Sequence, residues 1–485
     1  MSNVQVTRAS RSADAVQAPR GVRNPVFVIA VLAFSSLCAS LMQSLVIPIQ
    51  SSLPTFLNTS PANASWVVTS TLLGAGVAMP VAGRLADILG KKKVLVISGC
   101  ILIIGTLMCA VSSIFSVVIL GRVLQGFAMG YIPVAISMVH EVAPRHMVNA
   151  AVATISATLG VGGSIGLPLA AWVAQYADWH ALFWLAFGLA VVLTGLTVFV
   201  LPTTAGRGGG LDHVGAIGLA IALVAVLVGF SKANEWGWGS GITWGLIGGG
   251  VIVFAIWSLW ELRQESPLVN LRTFGHLPIL LTNLAALMAG IGLMSQSIVV
   301  PQLLQMPEVT GYGLGQTILQ AGLWMAPGGL MMMAFSPVSS RMLSSIGGRP
   351  TLAIGMFVVA AGYVFAALMT DAPWKLMVAT CISSAGVGIA YAAMPSIIME
   401  HAPRSETGSS VGVNALMRSV GTTVAGALMA IVLTSSTMQL APNTPPIPTH
   451  GAFLWCFSIG AGAALAATLL ALAVPKAREP HHRLT

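Results

Sequence analysis

The chain has 485 residues, of which 56% are apolar and only 7% charged, and it carries a formal charge of +9. A soluble domain is about 25% charged, so this composition excludes a water-facing surface and points to a polytopic membrane protein. The basic residues fall in alternate loops rather than on one patch, which makes membrane topology the explanation of the charge and excludes nucleic acid as a partner.

Residues 1–24, with Arg8, Arg11, Arg20 and Arg23, read as a cytoplasmic N-tail. The apolar run behind them is as long as a full span and longer than a signal-peptide core, so it reads as a retained helix 1, near 25–48. Helices 2 to 6 follow near 64–82, 93–112, 115–139, 147–173 and 180–201, joined by short loops that make neighbours antiparallel. Residues 25–201 thus form a first six-helix bundle. A connector, 202–275, holds two extra spans near 213–230 and 241–260, with Trp236 and Trp238 between them suited to a headgroup belt. The second bundle, 276–474, has six spans near 276–300, 315–337, 350–370, 373–398, 409–435 and 450–474, and 475–485 is a cytoplasmic C-tail. The expected fold is therefore all-α and polytopic, with fourteen transmembrane helices arranged as two six-helix bundles and two extra central helices.

With this plan eighteen Lys and Arg lie in tails and even-numbered loops, and only Lys232 and Lys375 lie on the other side. That bias predicts a multi-pass protein of the cytoplasmic (plasma) membrane with both termini inside. The five cysteines all lie in apolar segments without metal-ligand spacing, so neither a disulfide framework nor a metal site is expected, and no cofactor is called for.

The two halves repeat. Pro80, Val81, Arg84, Gly90 and Lys92, at the charged turn after helix 2, recur 257 positions later as Pro337, Val338, Arg341, Gly347 and Arg349, with Ser344 in place of Asp87. Glu141-Val-Ala-Pro-Arg145 reappears as Glu400-His-Ala-Pro-Arg404. Two like-oriented halves imply a central cavity that opens by rocking one half on the other, the geometry of a secondary transporter.

Several motifs give this plan a likeness. Gly83-Arg84-Leu85-Ala86-Asp87-Ile88-Leu89-Gly90-Lys91-Lys92 resembles the signature turn of the major facilitator superfamily, and Gly121-Arg122-Val123-Leu124-Gln125-Gly126 its second motif. Trp260-Glu261-Leu262-Arg263, Pro301-Gln302-Leu303-Leu304-Gln305, Pro327-Gly328-Gly329 and Asn414 with Arg418 and Gly421 resemble the fourteen-span drug:proton antiporter branch. The resemblance implies multidrug efflux of hydrophobic or amphipathic compounds, driven by proton entry; a monomer in the bilayer is expected. Two features depart from that branch. Its helix 1 usually bears Leu-Asp-x-Thr where this chain has Leu41-Met42-Gln43-Ser44, and its Gly-Pro-x-x-Gly-Gly is here Gly166-Leu167-Pro168-Leu169-Ala170-Ala171.

Arg122 lies about seven residues, or roughly 10 Å, into helix 4, and Arg418 sits near mid-depth of helix 13. Burying either costs about 2.5 to 3.5 kcal/mol on insertion scales, so each is expected to face the cavity and to have a partner or a task. Gln125 at i+3 and Asn414 at i−4 share their faces, and with Gln43 they complete the expected substrate and coupling set; the alternative is that both arginines only tie helices together. None of the thirteen acids is mid-membrane, so protons would use the end pairs His140–Glu141 and Glu400–His401, or an anionic cargo would meet the arginines. Gly83, Arg84, Asp87, Gly90, Lys91, Lys92, Arg341, Glu141, Arg145, Glu400 and Arg404 form the expected inner gate, in which the resemblance implies that Asp87 engages a helix end across the half interface. The alternative is a solvated turn that only obeys the positive-inside rule. Gly126 with Gly130 and Gly162 with Gly166 are small-residue pairs for close helix packing, and Pro168 and Pro327 are bends. A polytopic enzyme would need catalytic groups clustered at one depth, and the sequence offers none.

Overall fold

A computed structural model describes residues 24–475, except 47, 48, 50–52, 65, 207 and 440–445. Among the described residues, fourteen helices are long and apolar enough to cross a membrane. Helices 1 to 6 are Pro25–Ser44, Trp66–Leu89, Lys91–Val111, Phe115–Val142, Val148–Tyr176 and His180–Val200. Helices 7 and 8 are His213–Trp236 and Gly241–Glu261. Helices 9 to 14 are Leu277–Gln305, Ile318–Ser345, Gly348–Leu368, Pro373–His401, Thr407–Ser435 and His450–Ala473.

Two helices run well past the apolar count: helix 10 reaches Ser345 instead of ending near 337, and helix 2 reaches Leu89 instead of ending near 82, so Arg84 and Asp87 are helical. The turn shrinks to Gly90, whose φ of 94° suits a residue without Cβ. An apolar run ends at its first charge, but the backbone hydrogen bonding of a helix does not. Two helices are broken inside: helix 4 at Met129-Gly130 and helix 10 at Phe335. Pro133 and Pro337 follow these breaks by a turn or less, and each lacks the N–H that would bridge its break.

Within the first half, helix 1 packs on 5, helix 2 on 4, and helix 3 on 4 and 6; within the second, helix 9 packs on 13 and 14, and helix 11 on 12 and 14. The halves meet where helix 2 crosses helix 13 and helix 5 crosses helices 10 and 12. Helix 7 lies in the groove between helices 2 and 13, and helix 8 packs on helix 7. Val251, Ile252 and Ile256 of helix 8 are exposed, as a lipid-facing surface requires. The sequence repeat is visible in the backbone. Pro144 and Pro403 each lead a 3-10 turn, Arg145–Met147 and Arg404–Glu406, that starts helix 5 in one half and helix 13 in the other.

Candidate functional site

The end that carries the charged turns, called the basic end here, is where the halves are joined. Asp87 is 7% exposed on helix 2, and its two carboxylate oxygens accept hydrogen bonds from the Gly408 N–H at 3.0 Å and the Ser409 N–H at 2.9 Å. These are orphan amides in the first turn of helix 13, where the helix dipole favours an anion and charge strengthens each bond. The approach depends on missing side chains. A Cβ on Gly83 would run into the Gly408 carbonyl, one on Gly408 would stand 2.6 Å from Asp87 Oδ1, and one on Gly412 would stand 2.5 Å from the Met79 carbonyl.

Other contacts fix the two sides of this joint. Lys91 pairs with Glu141, tying the start of helix 3 to the end of helix 4. Thr204, just past helix 6, accepts from the N–H of Lys91 at 2.7 Å and of Lys92 at 3.3 Å. Across the joint, Glu406 accepts from Asn270 Nδ2 and Thr273 Oγ1, both at 2.8 Å, which pins the short connector helix Leu271–Phe274 to the start of helix 13. The repeat-related position answers in weaker form: Asn149 Nδ2, in the first turn of helix 5, donates to Ser344 Oγ at 3.1 Å. Ser344 thus meets helix 5 as Asp87 meets helix 13, but with one neutral, exposed bond in place of two charged, buried ones. Arg341 is exposed, and among the described residues it makes no ion pair. The side chains of Gln43, Arg145 and Arg404 lie outside the described residues.

The deep arginines differ from each other. Arg122 is 2% exposed and is turned into the first bundle rather than toward open space. Its Nε donates to the Val67 carbonyl on helix 2 at 2.9 Å, and its guanidinium donates to Gln125 Oε1 at 2.5 Å. Gln125 passes the link on to the Gly105 carbonyl of helix 3 at 3.3 Å. A guanidinium without a carboxylate takes the acceptors at hand, here a carbonyl and an amide. Arg122→Ala would leave Gln125 and Val67 unmatched, so we expect it to destabilise the fold by about 2 to 4 kcal/mol, read as a lower melting temperature of the purified protein.

Arg418 is half-buried and lies over the Tyr391 ring of helix 12 at 4.8 Å. Among the described residues no carboxylate pairs with it. Asn414 does not serve it; Asn414 Nδ2 donates instead to Asn283 Oδ1 on helix 9 at 2.9 Å. Asn283 and Tyr391 are buried, and among the described residues the amide nitrogen of the first and the hydroxyl of the second have no hydrogen-bond partner. Neither was singled out by sequence, because a lone Asn or Tyr in an apolar run gives no spacing to read.

Three of the four end groups offered as proton carriers have contacts or exposure that place them. Glu141 is engaged by Lys91, Glu400 is exposed, and His401 Nδ1 meets its own helix at the Ile397 carbonyl, 2.9 Å away. At the opposite end, the His180 N–H bonded to Asp178 and the Lys375 ammonium bonded to Asp371 hold both carboxyls below the usual range, so these acids stay charged at working pH. The packing residues fall at crossings. A Cβ on Gly126 would meet helix 2 at Thr71 and Gly74, one on Gly130 would meet Ala82, and one on Gly162 would stand 2.6 Å from Ser40 of helix 1. Gly166 is buried in helix 5, whose Pro168 faces Gly322 of helix 10, and Pro327 lies inside helix 10 beside Gly328, which abuts Thr380 of helix 12.

Comparison with known proteins agrees with this architecture. A sequence profile of the Major Facilitator Superfamily matches residues 32–426 and 282–484. The uncharacterized MFS-type transporter YhcA of Bacillus subtilis is 23% identical over 437 residues, which is 88% of this chain and 80% of that one. MdtD of Yersinia enterocolitica, provisionally named a multidrug resistance protein, is 25% identical over 444 residues, 90% of this chain and 92% of its own. Among solved structures, the human organic anion transporter MFSD10 superposes with a TM-score of 0.64 at 15% identity, covering 92% of this chain and 99% of that one. The proton:xylose symporter XylE superposes with the same TM-score of 0.64 at 14% identity, covering 93% and 96%. At these identities the structural likeness concerns the fold.

Proposed function

The chain belongs to the major facilitator superfamily, a family of alternating-access secondary transporters and not of enzymes, and from that premise we propose that it exports drug-like, amphipathic compounds, driven by proton entry. On this reading both termini are cytoplasmic, the basic end faces the cytoplasm, and the joint between helices 2 and 13 is the inner gate of an outward-facing state. The Asp87 latch is the observation that carries it, because a buried charge set on the first turn of a helix in the other half makes a closure that rocking can break. Arg122 with Gln125 holds the first bundle together as it moves, and Arg418 lies on the cargo side. The provisional multidrug name of MdtD supports the cargo class.

A second reading, an exporter of one anionic metabolite or lipid, is favoured by Arg418, a half-buried cation at depth stacked on an aromatic ring and lacking a carboxylate among the described residues. Counterflow in proteoliposomes with cationic, neutral and anionic amphiphiles, with and without a pH gradient, separates the two. Gradient-dependent movement of several amphiphiles is the expected result, and no movement above empty liposomes would overturn the proposal. Arg418→Ala is expected to weaken anionic members about tenfold, or about 1.4 kcal/mol for one charged contact, and to leave cationic members unchanged.

A further inference from the structure

Glu261 closes helix 8 at the basic end, 2% exposed, and among the described residues neither of its carboxyl oxygens has a hydrogen-bond partner. The backbone amides of Leu268 and Val269 come near it without closing a bond. Beside it stands Asp212, the N-cap of helix 7. Asp212 Oδ1 accepts from the Gly215 N–H at 2.8 Å, and Oδ2 accepts from Trp260 Nε1 at 3.0 Å. The two carboxyls converge over the bare Cα of Gly215, so that a Cβ there would collide with both. Arg84 of helix 2 is also nearby. It is within electrostatic reach of both Glu261 and Asp87 but ion-paired with neither, and its buried Nε has no partner among the described residues.

A buried carboxylate without hydrogen bonds and next to a second carboxylate carries a large desolvation and repulsion cost, which a single bound proton removes. Two such groups titrate as a pair. Asp212 is half-buried, so it links the pair to water. We propose that Glu261 and Asp212 form a proton-binding site that biases the Asp87 latch through Arg84. This rests on the transporter reading, and it supplies the carboxyl that the membrane interior lacks.

With the proton bound the pair carries one negative charge, and Arg84 is left to the field of Asp87. With the proton released the pair carries two, and Arg84 is drawn toward Glu261. Arg84 and Asp87 are three residues apart on one helical face, so the exchange alters the field at the joint between the halves. The charged groups that act on Glu261 are Asp212 from helix 7 and Arg84 from helix 2, and Arg272 of the connector donates to the neighbouring Leu262 carbonyl at 3.5 Å. The extra helices 7 and 8 thereby acquire a task, because Asp212 begins one and Glu261 ends the other.

The test is an infrared titration of the full chain in lipid nanodiscs, joined to amide hydrogen exchange at Gly408 and Ser409 over the same pH interval. The wild type is expected to show a protonated-carboxyl band that disappears as pH rises, Glu261→Gln to lack it at every pH, and Glu261→Asp to retain it. Asp212→Asn keeps the helix cap but removes the neighbouring charge, and is expected to move the disappearance to lower pH. Exchange at the latch is expected to change across that interval in the wild type and less in Glu261→Gln, with the titration of Asp87 itself common to both and cancelling in the difference. An identical band set in wild type and Glu261→Gln, an unshifted titration in Asp212→Asn, or identical latch exchange would overturn the proposal. None of these readouts needs a cargo, so an inactive transport assay and a missing proton site are separate results.

Discussion

Asp87→Asn is expected to release the first turn of helix 13, raising amide exchange at Gly408 and Ser409 about 30-fold or more and lowering turnover in step. The carboxylate accepts from both amides, at 3.0 and 2.9 Å, in a setting 7% exposed. An Asn has one acceptor oxygen, and its NH2 would face the second N–H, donor against donor. Hydrogen bonds to a charged group contribute about 1.5 to 3 kcal/mol each, and losing the charge at a helix N-terminus adds about 0.3 to 1 kcal/mol. A net loss of about 2 to 3 kcal/mol in closure is about 30- to 150-fold in the closed-to-open ratio. If the charged segment only obeyed the positive-inside rule, Lys91, Lys92 and Lys93 would suffice, and Asp87→Asn would leave both exchange and turnover unchanged.

Gly83→Leu is expected to abolish transport while leaving membrane insertion and each bundle's own packing in place. The atoms that a Cβ on Gly83 would strike are the Gly408 carbonyl and the Ser409 Cα, both backbone, so no side-chain rearrangement relieves the clash. Overpacking a tight site costs about 1 to 3 kcal/mol even when side chains yield; here helix 2 and helix 13 must separate, which also breaks the Asp87 bonds. Gly426→Ala in helix 13 is the matched control, since nothing lies within 4 Å of its added Cβ, and its transport is expected to equal wild type. Equal transport by Gly83→Leu would mean that this crossing does not have to close.

The fold was legible because bilayer thickness and loop charge act on composition, which a sequence displays directly. Fourteen apolar runs and the repeat of Pro80 through Lys92 sufficed to place the spans. The site was legible only in its residue types. Asp87 finds its hydrogen-bond donors 321 and 322 positions away, and those donors are backbone amides, which any sequence would supply. Arg122 likewise takes a carbonyl, Val67, so its inward turn could not be read from side-chain spacing. Asn414 pairs with Asn283 on another helix, although Arg418 is its neighbour on its own helix. Glu261 reads as an ordinary acid at a span end, and its burial appears only once the helices are packed.

Alternating access requires a joint at the basic end that opens as the opposite end closes. Spin labels at Leu89 and Glu400 span the halves at the basic end, and labels at Ile114 and Trp374 span them at the other; all four positions are exposed. Electron–electron distance distributions of the two pairs, recorded in nanodiscs with and without a transported amphiphile and at acid and alkaline pH, are expected to shift in opposite senses, the first lengthening as the second shortens. Distances that stay fixed under all conditions, or that lengthen together, would contradict it.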